Sequence, residues 1–157
     1  IDPSHQSVHM TLAAMNRTPF RGLDHLDALA SDERERIRQH GANFREMRER
    51  GVPHVVSSDA GVIDTPFDEF PLSVVSAVIA LDTTPVDAIQ LVTSAAAQAI
   101  GLGELTGAVT PGRQADLLVV EGDASENICN ITRTASVYLG GREVVRNRHL
   151  HVNAVTA

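Results

Sequence analysis

At 157 residues the chain is long enough for one ordinary domain, and 43% hydrophobic against 21% charged residues is a globular composition, not a disordered one. A formal charge of −7 argues against nucleic acid as a partner, because phosphate binding needs a basic footprint. All 13 basic residues are Arg, so no Schiff-base lysine or lysine metal ligand is available.

In chain order, Ile1-Asp2-Pro3-Ser4 opens without an initiator Met, which predicts a processed or truncated product. Ser7 to Met15 fits a short helix, between the punctuating residues Pro3, Pro19 and Gly22. From Ser31 the signal is clearer. Ser31 is placed to act as N-cap, Asp32, Glu33 and Glu35 put negative charge in the first turn, and a helix follows. Its inward face would carry Ile37, Gly41, Phe44 and Met47, and Gly51 would end it at C′. Val52 to Ser58 is a short β-branched run that predicts a strand. Because Val55 and Val56 are adjacent, both of its faces are apolar, as in a parallel strand covered on each side. It ends in Asp59-Ala60-Gly61. A loop with Pro66 and Pro71 precedes an apolar helix through Leu72, Val75, Val78, Ile79 and Leu81. Thr84-Pro85-Val86-Asp87 is a helix start with Pro at N1 and an acid at N3, and that helix runs on to Ile100 and Gly101.

From about Gly103 the pattern changes to short strands and glycine turns. Gly107-Ala108-Val109 and Ala115 to Glu121 read as strands separated by a Pro111-Gly112 turn. Ser136 to Leu139, Gly140-Gly141 and Arg142 to Val145 form a two-residue hairpin signal. His149-Leu150-His151 fits a last strand or a frayed end. Two parts are therefore expected: residues 1–102, with the last strand of the first part at 52–58, and a β module over 103–157.

Asp59 is the leading chemical candidate. A carboxylate at the carboxyl end of a buried parallel strand can ligate a divalent metal or take a proton from metal-bound water; it can equally be a turn residue. His5 and His9 would share a helix face, but they lack the Glu of an HExxH arrangement and a third ligand. His54 is expected to be packed or hydrogen-bonded, and His149-x-His151 lies far in sequence from Asp59. Ser57 and Ser58 lack a G-x-S-x-G elbow, and Gly101-Leu102-Gly103 follows a helix where a dinucleotide fingerprint would follow a strand. Cys129 has no cysteine to pair with, and its expected role is that of a small buried hydrophobe. No apolar run approaches the roughly 20 residues of a membrane span. No signal-peptide pattern opens the chain, so a cytoplasmic protein is expected.

Three stretches, GVPHVVSSDAGVIDTPFDEF, TPVDAIQLVTSAAAQAIGLGELTGAVTPGRQADLLVVEGD and VYLGGREVV, together resemble the amidohydrolase superfamily, most closely its imidazolonepropionase-like and prolidase-like members. The resemblance implies an α/β fold: the C-terminal part of a (β/α)8 TIM barrel followed by part of a small β-sandwich domain. Gly51 to Asp59 would be the eighth strand, with Ile1 to Ser4 near the end of the seventh. Asp59 would be the acid at the strand tip, binding or neighbouring the metal and shuttling a proton. The loop from Gly61 to Phe70 would border a small-molecule substrate, with Gly61 and Thr65 as candidate contacts, and Asp116 would be a structural turn residue. The implied cofactor is a divalent metal, zinc by preference, with most ligands outside this chain, because the family's histidines on earlier strands have no counterpart here. The implied reaction is hydrolysis of an amide or other C–N bond. A ring-amidine deaminase within the same scaffold, and a catalytically incompetent fragment acting as a structural or interaction module, are the alternatives. The missing barrel portion or another copy, as in a homo-oligomer, would complete the structure.

Overall fold

The computed structural model describes residues 22–61, 66–147 and 149, with the backbone alone for Val8–Thr11 and Leu150. Strand β1 (Val8–Thr11) lies parallel to β2 (His54–Ser57), with Val8 opposite His54 and Thr11 opposite Ser57. A helix was expected over part of this first segment. Pairing with β2 instead supplies each residue of Val8–Thr11 with ladder partners, and tertiary pairing of this kind overrides a weak helical periodicity. The strand end expected near Ile1 to Ser4 lies outside the described residues.

The helix expected from Ser31 is two helices, α1 (Ser31–His40) and α2 (Ala42–Glu49). Ser31 is the first helical residue, preceded by Ala30, which makes no side-chain cap; the acids Asp32 and Glu33 do occupy the first turn. The break falls at Gly41 for a steric reason. A Cβ there would stand 1.8 Å from the Ala80 carbonyl oxygen, so only a glycine lets the backbone at Ala80 come this close. Arg45 fastens the junction, its Nη1 donating to the carbonyls of Arg38 at 2.7 Å and Ala80 at 2.6 Å. Ile37 is fully buried, Phe44 packs against the core, and Met47 is 37% exposed, so the inward face fades along α2. Gly51 follows the helix at φ +78, the left-handed C′ position.

Helix α3 (Phe70–Ala80) is the centre of the core, buried at Leu72, Val74, Val75, Ala77, Ile79 and Ala80. Pro71 stands in its first turn, where the missing N–H costs nothing, and not in the preceding loop. In α4 (Pro85–Val92) the Thr84 hydroxyl accepts from the Asp87 N–H at 3.1 Å, and the Thr83 hydroxyl donates to the Asp87 carboxylate at 3.1 Å. The helix does not continue to Ile100. It stops at Thr93 (φ −120, ψ −93), and α5 (Ser94–Ala99) restarts. The Thr93 hydroxyl donates back to the Ile89 carbonyl at 2.7 Å, a bond that competes with the helical ladder. Gly107 presses on this break: a Cβ on it would meet Ala97 Cβ at 2.6 Å and the Thr93 carbonyl at 2.9 Å.

Strands β3 (Leu117–Val120), β4 (Thr134–Leu139), β5 (Arg142–Arg146) and β6 (His149–Leu150) form an antiparallel meander in that order. Gly140 and Gly141, at φ +56 and +79, make the two-residue hairpin between β4 and β5, as a primed turn requires. Gly107 to Val109 is irregular and not a strand, because Gly107 at φ +88 is committed to the α4–α5 junction. The module thus contributes one sheet; a second layer of a sandwich is not among the described residues. Between β3 and β4 a 3-10 helix (Ile128–Thr132) sends Ile128, Cys129 and Ile131 into the same core as α3.

Candidate active site at the end of β2

Strand β2 is buried on both faces at Val55 and Val56, as the adjacent valines predict. Val56 joins the core built around α3, whereas Val55 is buried outside that cluster, consistent with side-chain alternation along a strand. His54 is 6% exposed, and its Nδ1 lies 2.5 Å from the Val52 carbonyl oxygen. A carbonyl only accepts, so Nδ1 carries the proton and donates, leaving Nε2 buried and without a partner. The sequence expectation that His54 is packed and hydrogen-bonded holds.

Two residues past β2 the chain turns. Asp59 adopts φ +52, a left-handed conformation that a non-glycine residue rarely takes, although Asp tolerates it better than most. Asp59 is exposed. The side-chain bond that organises this turn belongs to its neighbour: Ser58 Oγ accepts from the Ala60 N–H at 3.1 Å. Among the described residues, no hydrogen bond or ion pair reaches the Asp59 carboxylate. Ser58 thus supplies the side-chain cap of this turn, and the Asp59 carboxylate is exposed just past the strand tip.

Gly61 follows at φ +102. The tip of the Phe67 ring lies 3.6 Å from where a Gly61 Cβ would sit, and Phe67 is 79% exposed. An exposed apolar ring therefore stands over the turn that carries Asp59. Sequence reasoning did not single out Phe67. The available signal was an aromatic close after the Asp59-Ala60-Gly61 turn in a chain with only 3% aromatic residues. Thr65, the other expected substrate contact, lies outside the described residues.

The described residues contain no group of three or more His, Cys, Asp or Glu side chains able to hold a metal. Asp59 alone does not fit a catalytic metal, which takes three or more protein ligands. His25 is occupied with the Asp27 N–H, and His40 with the Arg36 carbonyl at 2.7 Å. His149 is a sheet residue opposite Arg146, while His5 and His151 lie outside the described residues. The expected shared face of His5 and His9 does not arise through a helix, since His9 sits in a strand.

Asp116 is structural, as expected: one carboxylate oxygen accepts from the Gly140 N–H at 2.7 Å and the other from the Gln114 amide at 2.8 Å. Cys129 is buried, and burial pushes its thiol above the usual range, so it behaves as a small hydrophobe. No helix among the described residues is long and apolar enough to cross a membrane.

A family model described as the amidohydrolase family matches residues 5–144. Over 114 residues the chain is 28% identical to an imidazolonepropionase of Geobacillus kaustophilus, covering 71% of this chain and 27% of that protein. The backbone resembles that of a Bifidobacterium longum protein described as a prolidase, with a TM-score of 0.64 and 24% identity over 68% of this chain and 26% of the other. It also resembles Aspergillus niger ochratoxinase, with a TM-score of 0.61 and 19% identity over 88% of this chain and 32% of the other. The chain spans about a quarter of the length of the curated relatives it matches.

Proposed function

We propose that this chain, which belongs to the amidohydrolase family, supplies the strand-tip acid of a metal-dependent hydrolase acting on an amide or other C–N bond. The observation that carries the proposal is the Asp59 carboxylate, exposed, held in a left-handed turn and spared from capping duty by Ser58. Imidazolonepropionases among its relatives support hydrolysis of a C–N bond.

In this reading β1 and β2 are the last two strands of a (β/α)8 barrel ending at about residue 102, and β3–β6 are one layer of a small β-sandwich over 103–157. Asp59 would contribute one oxygen ligand to a divalent metal, zinc on the family resemblance, which would activate the attacking water, and the Asp59 carboxylate would accept that water's proton. The histidine ligands come from outside the described residues, from the missing barrel portion or from another copy in a homo-oligomer. Gly61 and Thr65, with Phe67 over the turn, border a small-molecule substrate, and the protein works in the cytoplasm.

The test is Asp59→Asn in the protein carrying the complete ligand set. Asparagine keeps the shape and tolerates the left-handed backbone but neither accepts the proton nor carries the charge. Turnover should fall by about 10²–10⁴-fold, the range of general acid–base catalysis, with no loss of thermal stability. Near-normal turnover in this variant would sink the assignment.

A further inference from the structure

In the connection between α5 and β3, Arg113 stands apart from the other ion-paired arginines. Its side chain is 21% exposed, whereas those of Arg34, Arg36, Arg38, Arg50, Arg133 and Arg146 range from 36% to 72%. Each of those six makes a hydrogen bond: Arg34 to the Leu26 carbonyl, and the others to the carboxylates of Glu33, Asp82, Glu46, Asp24 and Glu143. The Arg113 side chain, the most buried of the set, makes none among the described residues. Its Nη1 is buried with no acceptor, and its Nη2 faces the fully exposed Glu104 carboxylate at 3.6 Å, beyond hydrogen-bond length. A guanidinium brought this far out of water with its fork unanswered calls for an explanation.

Beside it is a pocket of about 280 Å³. Ala108, Val109, Pro111, Ala115 and Leu117 give it apolar walls, and Arg113 supplies its cation. Gln114 also lines the pocket, but its amide is already engaged by Asp116. The volume suits a ligand of a few heavy atoms, at the small end for binding cavities. Val109, 89% exposed, gives the wall an apolar surface that nothing else in the described chain covers.

We infer that this pocket is a binding site for a small organic carboxylate with a short branched or ring-shaped apolar stem, held by the Arg113 fork. The stem lies against the alanine, valine, proline and leucine walls. The carboxylate takes two parallel N–H bonds from the guanidinium, the geometry for which arginine is suited and lysine is not. Because Nη1 is closed to solvent, binding includes a turn of the guanidinium about its terminal torsions that brings the Nη1–Nη2 edge to the pocket. Glu104, only loosely engaged, gives way to the incoming anion. The site is independent of the reaction proposed for Asp59.

The test uses the whole chain uniformly labelled with 15N. The Arg113 side-chain resonance and the backbone amides of Val109, Gln114 and Ala115, which line the pocket and persist in the arginine variants, are followed while 2-methylpropanoate, acetate or the neutral isostere 2-methylpropanamide is added. Saturable shifts are expected with 2-methylpropanoate, with the amide and Arg113→Lys each weaker by about tenfold or more, the loss of one or two charge-assisted bonds. Arg113→Gln should abolish binding. Ala108→Leu, which keeps the arginine and fills the pocket, should abolish it too, so the test survives a misfolded arginine variant. The inference is overturned if no saturable shift appears, if the amide, acetate or Arg113→Lys binds as well as the reference pair, or if Ala108→Leu leaves binding intact. It is also overturned if the Arg113 guanidinium protons resist exchange before any acid is added, because the acceptor would then come from within the protein.

Discussion

Replacing Gly41 with alanine would place a methyl carbon 1.8 Å from the Ala80 carbonyl oxygen, 2.5 Å from its carbon and 2.8 Å from Ala80 Cα. All three are backbone atoms, so no side chain can swing aside. Relief requires the α1–α2 junction and the end of α3 to part by more than 1 Å. Overpacking of this kind costs about 1–3 kcal/mol. Parting also stretches the bond from Arg45 Nη1 to the Ala80 carbonyl, a charge-assisted contact worth about 1.5–3 kcal/mol. Against these stands a gain of about 1 kcal/mol, because alanine is the better helix former and Gly41 has φ −77. The net expectation is a loss of about 1.5–5 kcal/mol, a large share of the 5–15 kcal/mol that holds an ordinary domain. Urea unfolding of the chain followed by circular dichroism reads it as a lower midpoint at unchanged slope. The sign decides the matter. If helix propensity governed this position the variant would be more stable, and an unchanged or raised midpoint would refute the close approach of α3 to Gly41.

Three further outcomes follow from the structure. Hydrogen bonds from Thr84 and then Thr83 hold the Asp87 carboxyl below its ordinary value of 3.8. A lowered folded value stabilises the protein above pH 3.8 and is lost as the pH falls through the depressed value. Unfolding midpoints taken at neutral pH and near pH 3 should therefore drop more for the native chain than for Asp87→Asn. Cys129, buried and with its thiol raised by desolvation, should react with a thiol-specific disulfide reagent only at the rate of unfolding, and fast labelling in native buffer would contradict its burial. Asn127→Ala removes the cap on the Cys129 N–H at 3.1 Å and the bond to the Asp24 carbonyl at 2.8 Å. It should cost about 1–2 kcal/mol of stability in the same denaturation assay.

The parts of the fold legible in the sequence are those where one residue type alone meets a local demand. Gly140-Gly141 announces its hairpin because both positions need positive φ, and Thr84-Pro85 announces a helix start because each residue solves a first-turn problem. The breaks at Gly41 and Thr93 escaped because the chain that packs against them, at Ala80 and Gly107, is distant in sequence. The strand at Val8–Thr11 escaped for the same reason, since its pairing partner begins at His54. At the candidate site, the strand end and a following glycine made Asp59 one candidate among several, and the family resemblance put it first. The division of labour between Ser58 and Asp59, the ring of Phe67 over Gly61 and the unanswered fork of Arg113 are spatial facts without a local pattern.

The 3-10 helix at Ile128–Thr132 has a consequence for how the molecule comes apart. It is spliced between β3 and β4, yet Ile128, Cys129 and Ile131 are anchored around α3. Asp24 ties the same region back to the start of the helical half, its carbonyl accepting from Asn127 and its carboxylate pairing with Arg133. The sheet therefore cannot detach without pulling a plug from the helical core. Helical layer and sheet should melt as one cooperative unit, and amide protons in β4 are expected to exchange through the same global opening as those of α3.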